Sequence, residues 1–236
     1  MHLSLIIPAY NEAQRITVTL RLVTAYLQAQ SYSSEILVVD DGSTDGTAEA
    51  VEQEFQGIQV IHYEPNRGKG HAVRTGMLAA TGAHRVFFDA DASTPIEELE
   101  KLWPRFEDGA DVVIGSRALP DSQIEVPQPR YRTLMGNIFN IFVQCWGLRG
   151  IPDTQCGFKG FSARAVQTIF PRQTIERFSF DAELLYIAKK HGLRIDQVPI
   201  RWLNSPHTTV NPITDASRMF TDLLAIRARD LMGRYS

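Results

Sequence analysis

Short apolar runs alternate with longer helical patterns along this chain, and that alternation constrains the fold more than any other feature. Runs of this length match buried strands, and helical spacing of apolar residues fills the intervals. This alternation predicts an α/β fold, a Rossmann-like domain with a mostly parallel central sheet flanked by helices. The predicted strands are residues 3–8, 35–40, 58–63, 85–88, 111–115 and 194–202. The predicted helices are residues 12–30, 44–55, 71–80, 95–108, 133–146, 181–191 and 215–231.

The length of 236 residues suits one domain. The strand–helix rhythm changes after Arg117, where a proline-containing loop begins, so we expect two halves of a single domain at about 1–117 and 118–236. A net charge of −3 and 22% charged residues argue against nucleic-acid binding. The 44% hydrophobic content argues against disorder.

Localisation is predicted from three features. Two cysteines, Cys145 and Cys156, cannot form a disulfide framework, which favours a reducing compartment. The chain runs from Met1 directly into a strand pattern, so we expect no signal peptide. The most apolar stretch, residues 132–149, is interrupted by polar Asn137, Asn140 and Gln144 and does not suit a membrane span. We therefore expect a cytoplasmic protein that is soluble or peripheral.

Four polar clusters follow predicted strands. They are residues 8–12, 40–45, 89–91 and 115–117. Ligands bind outside the carboxyl ends of strands in parallel sheets, so the clusters predict one crevice. Each cluster alone also has a structural explanation: Thr44 or Asp45 could cap a helix, and Gly42 could only make a turn. All four together favour a binding site.

The cluster Asp89-Ala90-Asp91 is the most informative of the four. In an extended segment, residues i and i+2 point the same way, so both carboxylates could face one ion. Mg²⁺ binds through one or two carboxylates plus substrate phosphates. A nucleoside diphosphate becomes a good leaving group when a bound metal neutralises its charge. At the end of an apolar strand, the pair therefore predicts a metal and diphosphate site.

Other motifs fit less well. Gly68-Lys69-Gly70 imitates part of a phosphate loop but lacks its full spacing, and Val73 occupies the third glycine position of a dinucleotide fingerprint. The histidines do not show zinc spacing. Cys156 has no identifiable base beside it and is interpreted as a packing residue.

Ordered segments of the chain resemble the inverting GT-A glycosyltransferases of family 2. The first set is SLIIPAYNE, ILVVDDGSTDGT, NRGKGHAVRTGM, FFDADASTP and DVVIGSR. A second set resembles the dolichyl-phosphate β-glucosyltransferase branch, with polyprenyl-phosphate mannosyltransferases as near relatives. That set is DTQCGFKGFSA, FSFDAELLYIAKKHG and VPIRW. The resemblance covers roughly residues 3–231 and implies a nucleotide-sugar half followed by an acceptor half.

The resemblance implies roles for individual residues. Asp89, Ala90 and Asp91 would handle the donor diphosphate and its metal, Mg²⁺ or Mn²⁺, with Ser93 near enough to assist. Lys69 would shape the donor loop, and Arg117 would meet phosphate. The residues implied for the nucleoside are Pro8, Tyr10, Glu12, Val39 and Asp41.

Three further residues concern the acceptor. Arg132 matches the arginine that grips the acceptor phosphate in the mannosyl branch, and Arg130 is the alternative. Asp181 occupies the place of a general base in relatives that glycosylate hydroxyls, but it could equally cap a helix beside Ser179. The chain departs from the glucosyl branch at 207–209, where His-Thr-Thr stands in place of the usual Gly-Ser-Lys.

The implied reaction is inverting transfer of glucose from UDP-glucose to a polyprenyl phosphate, with release of UDP. Alternatives are another donor such as GDP-mannose, a hydroxyl acceptor, or a catalytically silent nucleotide-sugar-binding subunit. The apolar face of residues 133–146 could pack in the core or rest on a membrane surface, as a lipid acceptor would require. We expect the protein to associate peripherally with the cytoplasmic face of a membrane.

Overall fold

The structure, a computed structural model, describes residues 2–125, 140, 142–144, 147–203 and 214–236, with only the backbone for 214–220. Its main feature is a seven-stranded sheet in the order β3-β2-β1-β4-β7-β5-β8, with a two-stranded sheet of β6 and β9 beside it. The strands are β1 Leu3–Ala9, β2 Ser34–Asp40, β3 Gln59–His62, β4 His84–Phe88, β5 Val112–Ser116, β6 Gln123–Ile124, β7 Phe158–Ser162, β8 Ile195–Pro199 and β9 Arg201–Trp202.

Helices connect the strands and cover both faces of the sheet. They are α1 Ile16–Gln28, α2 Thr47–Glu54, α3 Lys69–Ala79, a 3₁₀ helix at Ile96–Lys101, α4 Trp103–Glu107, α5 Ala163–Ile169, α6 Phe180–Lys190 and α7 Thr214–Leu231. Among the described residues, no helix combines the length and apolar character needed to cross a membrane.

The central strands are buried on both faces, which explains their unbroken apolar runs. Successive residues of β1 alternate between two core clusters: Ile6 packs with Phe87 on one face, and Leu5 packs with Val86 on the other. β1, β2, β3 and β4 pair in parallel. The predicted α/β fold with a mostly parallel sheet is confirmed.

Strand β7 was missed by the sequence prediction. It enters the middle of the sheet antiparallel to both neighbours, so that Lys159 lies opposite Phe87 on β4 and Ile114 on β5. The segment reads Phe-Lys-Gly-Phe-Ser, and a lysine and a glycine in its centre remove the alternation that marks a strand. This strand brings the second half of the chain into the sheet of the first.

Two predicted elements are interrupted at prolines. The helix predicted over 95–108 is a 3₁₀ helix followed by α4, with Pro104 in the first turn of α4. A proline has no amide hydrogen and clashes with the preceding turn, so it suits a new helix start rather than a helix interior. The strand predicted over 194–202 divides after Pro199, and its second part, β9, pairs with β6.

Several predictions fall outside the described residues. These are Arg130, Arg132, His207-Thr208-Thr209 and most of the helix predicted over 133–146. Within that helix, residue 140 and residues 142–144 are helical. Phe142 is 40% exposed, whereas the neighbouring Val143 is buried against the core.

Candidate active site

The loops that follow β1 and β2 are joined by hydrogen bonds. Asn11 adopts a left-handed conformation, its amide donates to Ser43 Oγ at 2.8 Å, and its side-chain oxygen accepts from the Thr44 amide at 2.9 Å. Asp45 accepts from the amides of Ala13 and Thr47, at 3.0 and 3.1 Å. Asp45 therefore bonds to the first residue of α2 and to the β1 loop, although the N-cap position of α2 is Gly46 and carries no side-chain cap. These hydrogen bonds join the first two polar clusters into one rim of the crevice.

Asp41 holds the next loop in place. Its buried carboxylate accepts hydrogen bonds from the Tyr63 hydroxyl, the Asn66 side chain and the amides of Arg67 and Gly68, at 2.7 to 2.9 Å. All of these donors lie between β3 and α3. In this arrangement Asp41 organises the approach to Lys69, and direct contact with a nucleoside stays a prediction.

Gly42 is required beside Asp41 for two reasons. Its φ is +74°, which L side chains rarely adopt, and an added Cβ would lie 2.8 Å from the Asn66 amide nitrogen. The loop between β3 and α3 therefore packs directly on the backbone after β2.

The segment Asp89-Ala90-Asp91 forms a turn, and the prediction of an extended conformation was wrong. The Ala92 amide donates to the Asp89 carbonyl at 3.0 Å, and Ala92 has a φ of 50°. Asp91 Oδ1 accepts from the Ser93 amide at 3.0 Å. The two carboxylates therefore lie in a turn at the end of β4 and not at alternate positions of an extended strand.

Asp89 lies against a lysine and a glycine. Lys69 Nζ is 2.6 Å from Asp89 Oδ1. A Cβ at Gly157 would come within 1.8 Å of Asp89 Oδ2, so only glycine lets the carboxylate approach this backbone. Burial by itself lowers the pKa of Lys69, but the carboxylates of Asp89 and Asp181 outweigh it and raise the pKa, so the ammonium stays charged.

The residues of this turn fit a hard divalent cation. No group of three or more acidic, histidine or cysteine side chains converges on a metal position within the described part of the chain. Mg²⁺ and Mn²⁺ accept one or two carboxylates when substrate phosphates complete the shell, so Asp89 and Asp91 supply a suitable donor set. Ser93 is buried and its carbonyl accepts from the Leu203 amide at 2.7 Å, which ties this turn to the chain after β9.

The residues expected at the nucleoside differ in accessibility. Tyr10 is 41% exposed at the end of β1. Glu12 pairs with Arg15, whose pKa is raised mainly by its hydrogen bond to Glu12, with smaller contributions from Asp91 and Asp89. Pro8 and Val39 are buried within paired strands, and Val39 belongs to the core. Val39 is also paired with Pro8 on one side and with Ile61 on the other, and a nucleoside contact by Val39 stays a prediction.

Arg117 is held by an aspartate that the sequence prediction missed. Its backbone amide, Nε and Nη2 each lie 2.8 Å from an oxygen of Asp153, and its guanidinium lies 5.3 Å from the centre of the Trp202 ring. Burial alone would lower the pKa of Arg117, but the Asp153 carboxylate outweighs it and raises the pKa. The arginine is thus fixed and charged, with part of its side chain exposed.

Asp181 is buried in the first turn of α6 and paired with a lysine. Lys159 Nζ lies 2.5 Å from Asp181 Oδ1 and 2.5 Å from the Cys156 carbonyl. No side-chain bond caps α6 at Ser179, and the hydrogen bond described for Asp181 joins it to Lys159 and not to an amide of the helix. Burial raises the pKa of Asp181, while the charges of Lys159 and Lys69 act in the opposite direction.

Cys156 is 1% exposed, which confirms its interpretation as a packing residue. Burial raises the pKa of its thiol to about 12. Sequence reasoning assigned no role to Asp153 or Lys159, although both lie in a segment that carried the family resemblance. The sequence offers one signal for Lys159: the Lys159-Gly160 pair has an apolar residue on either side, Phe158 and Phe161.

The fold is that of the GT-A class of glycosyltransferases. Mannosyl-3-phosphoglycerate synthase from Rubrobacter xylanophilus superposes with a TM-score of 0.73 at 22% identity, covering 99% of this chain and 74% of that chain. Glucosyl-3-phosphoglycerate synthase from Mycobacterium tuberculosis gives a TM-score of 0.71 at 19% identity, covering 99% and 80%. These likenesses confirm the GT-A fold.

Residues 4–170 match the model of Glycosyl transferase family 2, and the chain belongs to this family. Relatives similar along nearly the whole chain are named dolichyl-phosphate beta-glucosyltransferase. The protein from Dictyostelium discoideum is 36% identical over 99% of this chain and 76% of its own length. The human protein is 33% identical over 99% and 77%. The predictions of a family 2 hexosyltransferase and of its resemblance to this branch are confirmed.

Proposed function

We propose that this protein transfers glucose, with inversion, from UDP-glucose to a polyprenyl phosphate and releases UDP. The names of its relatives support glucose as the sugar and a dolichyl-type phosphate as the acceptor. The observation that supports the proposal in the structure is the turn at the carboxyl end of β4, which contains Asp89 and Asp91 and in which Asp89 contacts Lys69. Carboxylates and an ammonium group together suit a metal–diphosphate leaving group.

Divalent metal use is supported by fold relatives. Glucosyl-3-phosphoglycerate synthase from Mycobacterium tuberculosis has been solved with Mn²⁺ and UDP, and with Mg²⁺ and UDP. When bound, Mg²⁺ or Mn²⁺ neutralises charge on the departing diphosphate. Asp89 and Asp91 would hold the ion, and Lys69 would hold a phosphate oxygen from the side of the crevice where it now meets Asp89.

The surroundings of Asp181 favour a phosphate acceptor over a hydroxyl. A hydroxyl must lose a proton as it attacks, so its enzyme needs an accessible base. Asp181 is 5% exposed, and one of its oxygens is already bonded to Lys159. A phosphate monoester has a second pKa near ~6 and carries its nucleophilic charge at pH 7 without a base. Its main requirement is a cation that offsets repulsion from the donor diphosphate.

Arg132 is proposed as that cation, with Arg130 as the alternative, because a planar guanidinium can donate two hydrogen bonds to one phosphate. Arg117 is less free to move, since Asp153 already bonds its Nε and Nη2. We expect Arg132→Lys to raise the acceptor KM and Arg132→Ala to abolish most transfer. Asp181→Asn is expected to retain far more activity, with its melting temperature measured alongside because Lys159 loses its carboxylate.

Peripheral attachment to the cytoplasmic face of a membrane is part of the proposal. The exposure of Phe142 supports it, since this side chain belongs to the apolar face predicted over 133–146 and is 40% exposed. Flotation with liposomes tests attachment. Recovery only in the soluble fraction, with and without anionic lipid, would reject it.

The deciding experiment is a panel of nucleotide sugars incubated with polyprenyl phosphate, with product masses recorded. We expect glucosyl phosphoryl polyprenol from UDP-glucose and MgCl₂. A product from GDP-mannose would change the donor, and transfer only to hydroxyl acceptors would change the acceptor. Loss of activity in Asp181→Asn with normal activity in Arg132→Ala would also point to a hydroxyl acceptor. Donor binding without transfer or hydrolysis would indicate a silent subunit.

A further inference from the structure

Lys159 is a fully buried charge in the middle of the sheet. Its side chain is 0% exposed and its ammonium lies 5.1 Å from the centre of the Phe87 ring. A buried ammonium is costly unless it is paired, and here it is paired with Asp181 and the Cys156 carbonyl. A buried ion pair is weak evidence for stability, because apolar residues of similar volume often serve as well.

The pair continues into the donor crevice. Asp181 also interacts electrostatically with Lys69, and Lys69 contacts Asp89 at 2.6 Å. From the crevice to the interior, the order of charges is therefore Asp89, Lys69, Asp181 and Lys159. Carboxylates and ammonium groups alternate along this order, and the four formal charges cancel.

We infer that Lys159 is a positioning residue for the donor side of the reaction. Because Lys159 pairs with the Asp181 carboxylate from the interior, the Lys69 ammonium stays at Asp89. Without the charge of Lys159, Lys69 becomes the nearest cation to Asp181 in this group of four residues. The ammonium of Lys69 would then be drawn inward, away from Asp89 and from the phosphates that we propose it meets. The inference rests on the proposed role of Lys69 toward the donor diphosphate.

The inference predicts a distinctive pattern of nucleotide binding. Lys159→Met should weaken UDP binding about 10- to 100-fold, the range typical when a residue that orients a metal ligand is removed. The double variant Lys159→Met/Asp181→Asn should bind UDP nearly as the parent does, because the charge that attracts Lys69 inward is removed as well. A lysine needed only for packing would give no such recovery.

Isothermal titration calorimetry with UDP and excess MgCl₂ measures this pattern. Lys190→Met is the matched control, because Lys190 pairs with Asp230 on the surface, and it should bind UDP normally. Melting temperatures establish that each variant is folded. If Lys159→Met is insoluble, Lys159→Gln replaces it, since glutamine keeps a hydrogen-bond donor and removes the charge.

Normal UDP binding by folded Lys159→Met, or equally weak binding by the double variant, would overturn the inference. Recovery in the double variant would support it. Failure of the proposed function has a different signature: the parent itself would not bind UDP. If the parent binds GDP instead, the same variants are compared with GDP, because the inference concerns the ratio between variants.

Discussion

Asp153 accepts three hydrogen bonds from Arg117, one from the backbone amide and two from the guanidinium, each 2.8 Å long. The aspartate is 8% exposed and comes from the segment before β7, whereas Arg117 follows β5. The contact therefore joins the crevice rim to the second half of the chain. Loss of either partner leaves a poorly solvated charge.

We expect Asp153→Asn to reduce the free energy of unfolding by up to about 3 kcal/mol at pH 7. This is the lower end of the loss expected when a buried ion pair is broken, because 27% of the Arg117 side chain is exposed. Although burial alone would raise the pKa of Asp153, Arg117 lowers it overall. Stabilisation is therefore present above the unfolded pKa of about 3.9 and is lost as pH falls through the folded pKa. Urea unfolding at several pH values measures this.

The control for this stability prediction is Asp108→Asn. Asp108 pairs with Arg194 at the surface, with both side chains largely exposed, and we expect little change. An Asp153→Asn penalty that is absent at pH 7, or that grows as the pH falls, would contradict the assigned ion pair.

Asp91→Asn should reduce transfer on the order of 10²-fold or more while the protein stays folded, by analogy with other electrostatic groups at reacting centres. The physical reason is that one of the two carboxylates available to a divalent ion loses its charge. Initial rates with UDP-glucose test the loss of transfer, and electron paramagnetic resonance of Mn²⁺ tests the loss of metal binding. Full activity of the parent in EDTA would reject the metal requirement, and Asp108→Asn should retain normal rates.

Cys156 should resist alkylation while the protein is folded. Its thiol is buried and has a pKa of about 12, so at pH 8 only about one molecule in ten thousand would carry the reactive thiolate. Peptide mass spectrometry after treatment with iodoacetamide, with and without urea, measures modification of this residue. Rapid labelling without urea would contradict the buried position.

His62 should titrate above its ordinary pKa of 6.5. The largest cause is the hydrogen bond between His62 Nδ1 and Asp40 Oδ2 at 2.8 Å. Because the folded pKa is raised, the pair stabilises the protein below about pH 6.5, and the effect is lost as pH rises through the folded pKa. Its magnitude should be small, since 41% of the His62 side chain is exposed. NMR titration of the imidazole, in the parent and in Asp40→Asn, measures the shift.

The sequence was sufficient to predict the parallel core. β1, β2, β4 and β5 are continuous apolar runs because they are covered on both faces, and their polar ends meet at one edge as expected. The carboxylates of Asp89 and Asp91 were placed correctly at that edge. The local conformation of this segment was not predicted, because Ala92 has a positive φ, which is uncommon for alanine.

The long-range partners could not be predicted from local patterns. Asp153 lies 36 residues from Arg117, and Lys159 lies 22 residues from Asp181. Only the antiparallel insertion of β7 brings these charges together, and the mixed polar sequence of that strand conceals it. A buried lysine also contradicts the general preference of lysine for the surface, so its position needed the tertiary structure.

The central place of β7 has a consequence for protein engineering. β4 and β5, both from the first half, do not pair with each other in the described sheet: β7, a strand supplied by the second half, lies between them and pairs with both. A chimaera joined near residue 117 would therefore exchange more than an acceptor module: it would replace the middle strand on which both flanking strands depend. Acceptor specificity should be transferable to a related enzyme by exchanging loops, provided that Phe158–Ser162 keeps its native pairing with β4 and β5. Recombination at the midpoint should yield insoluble chains.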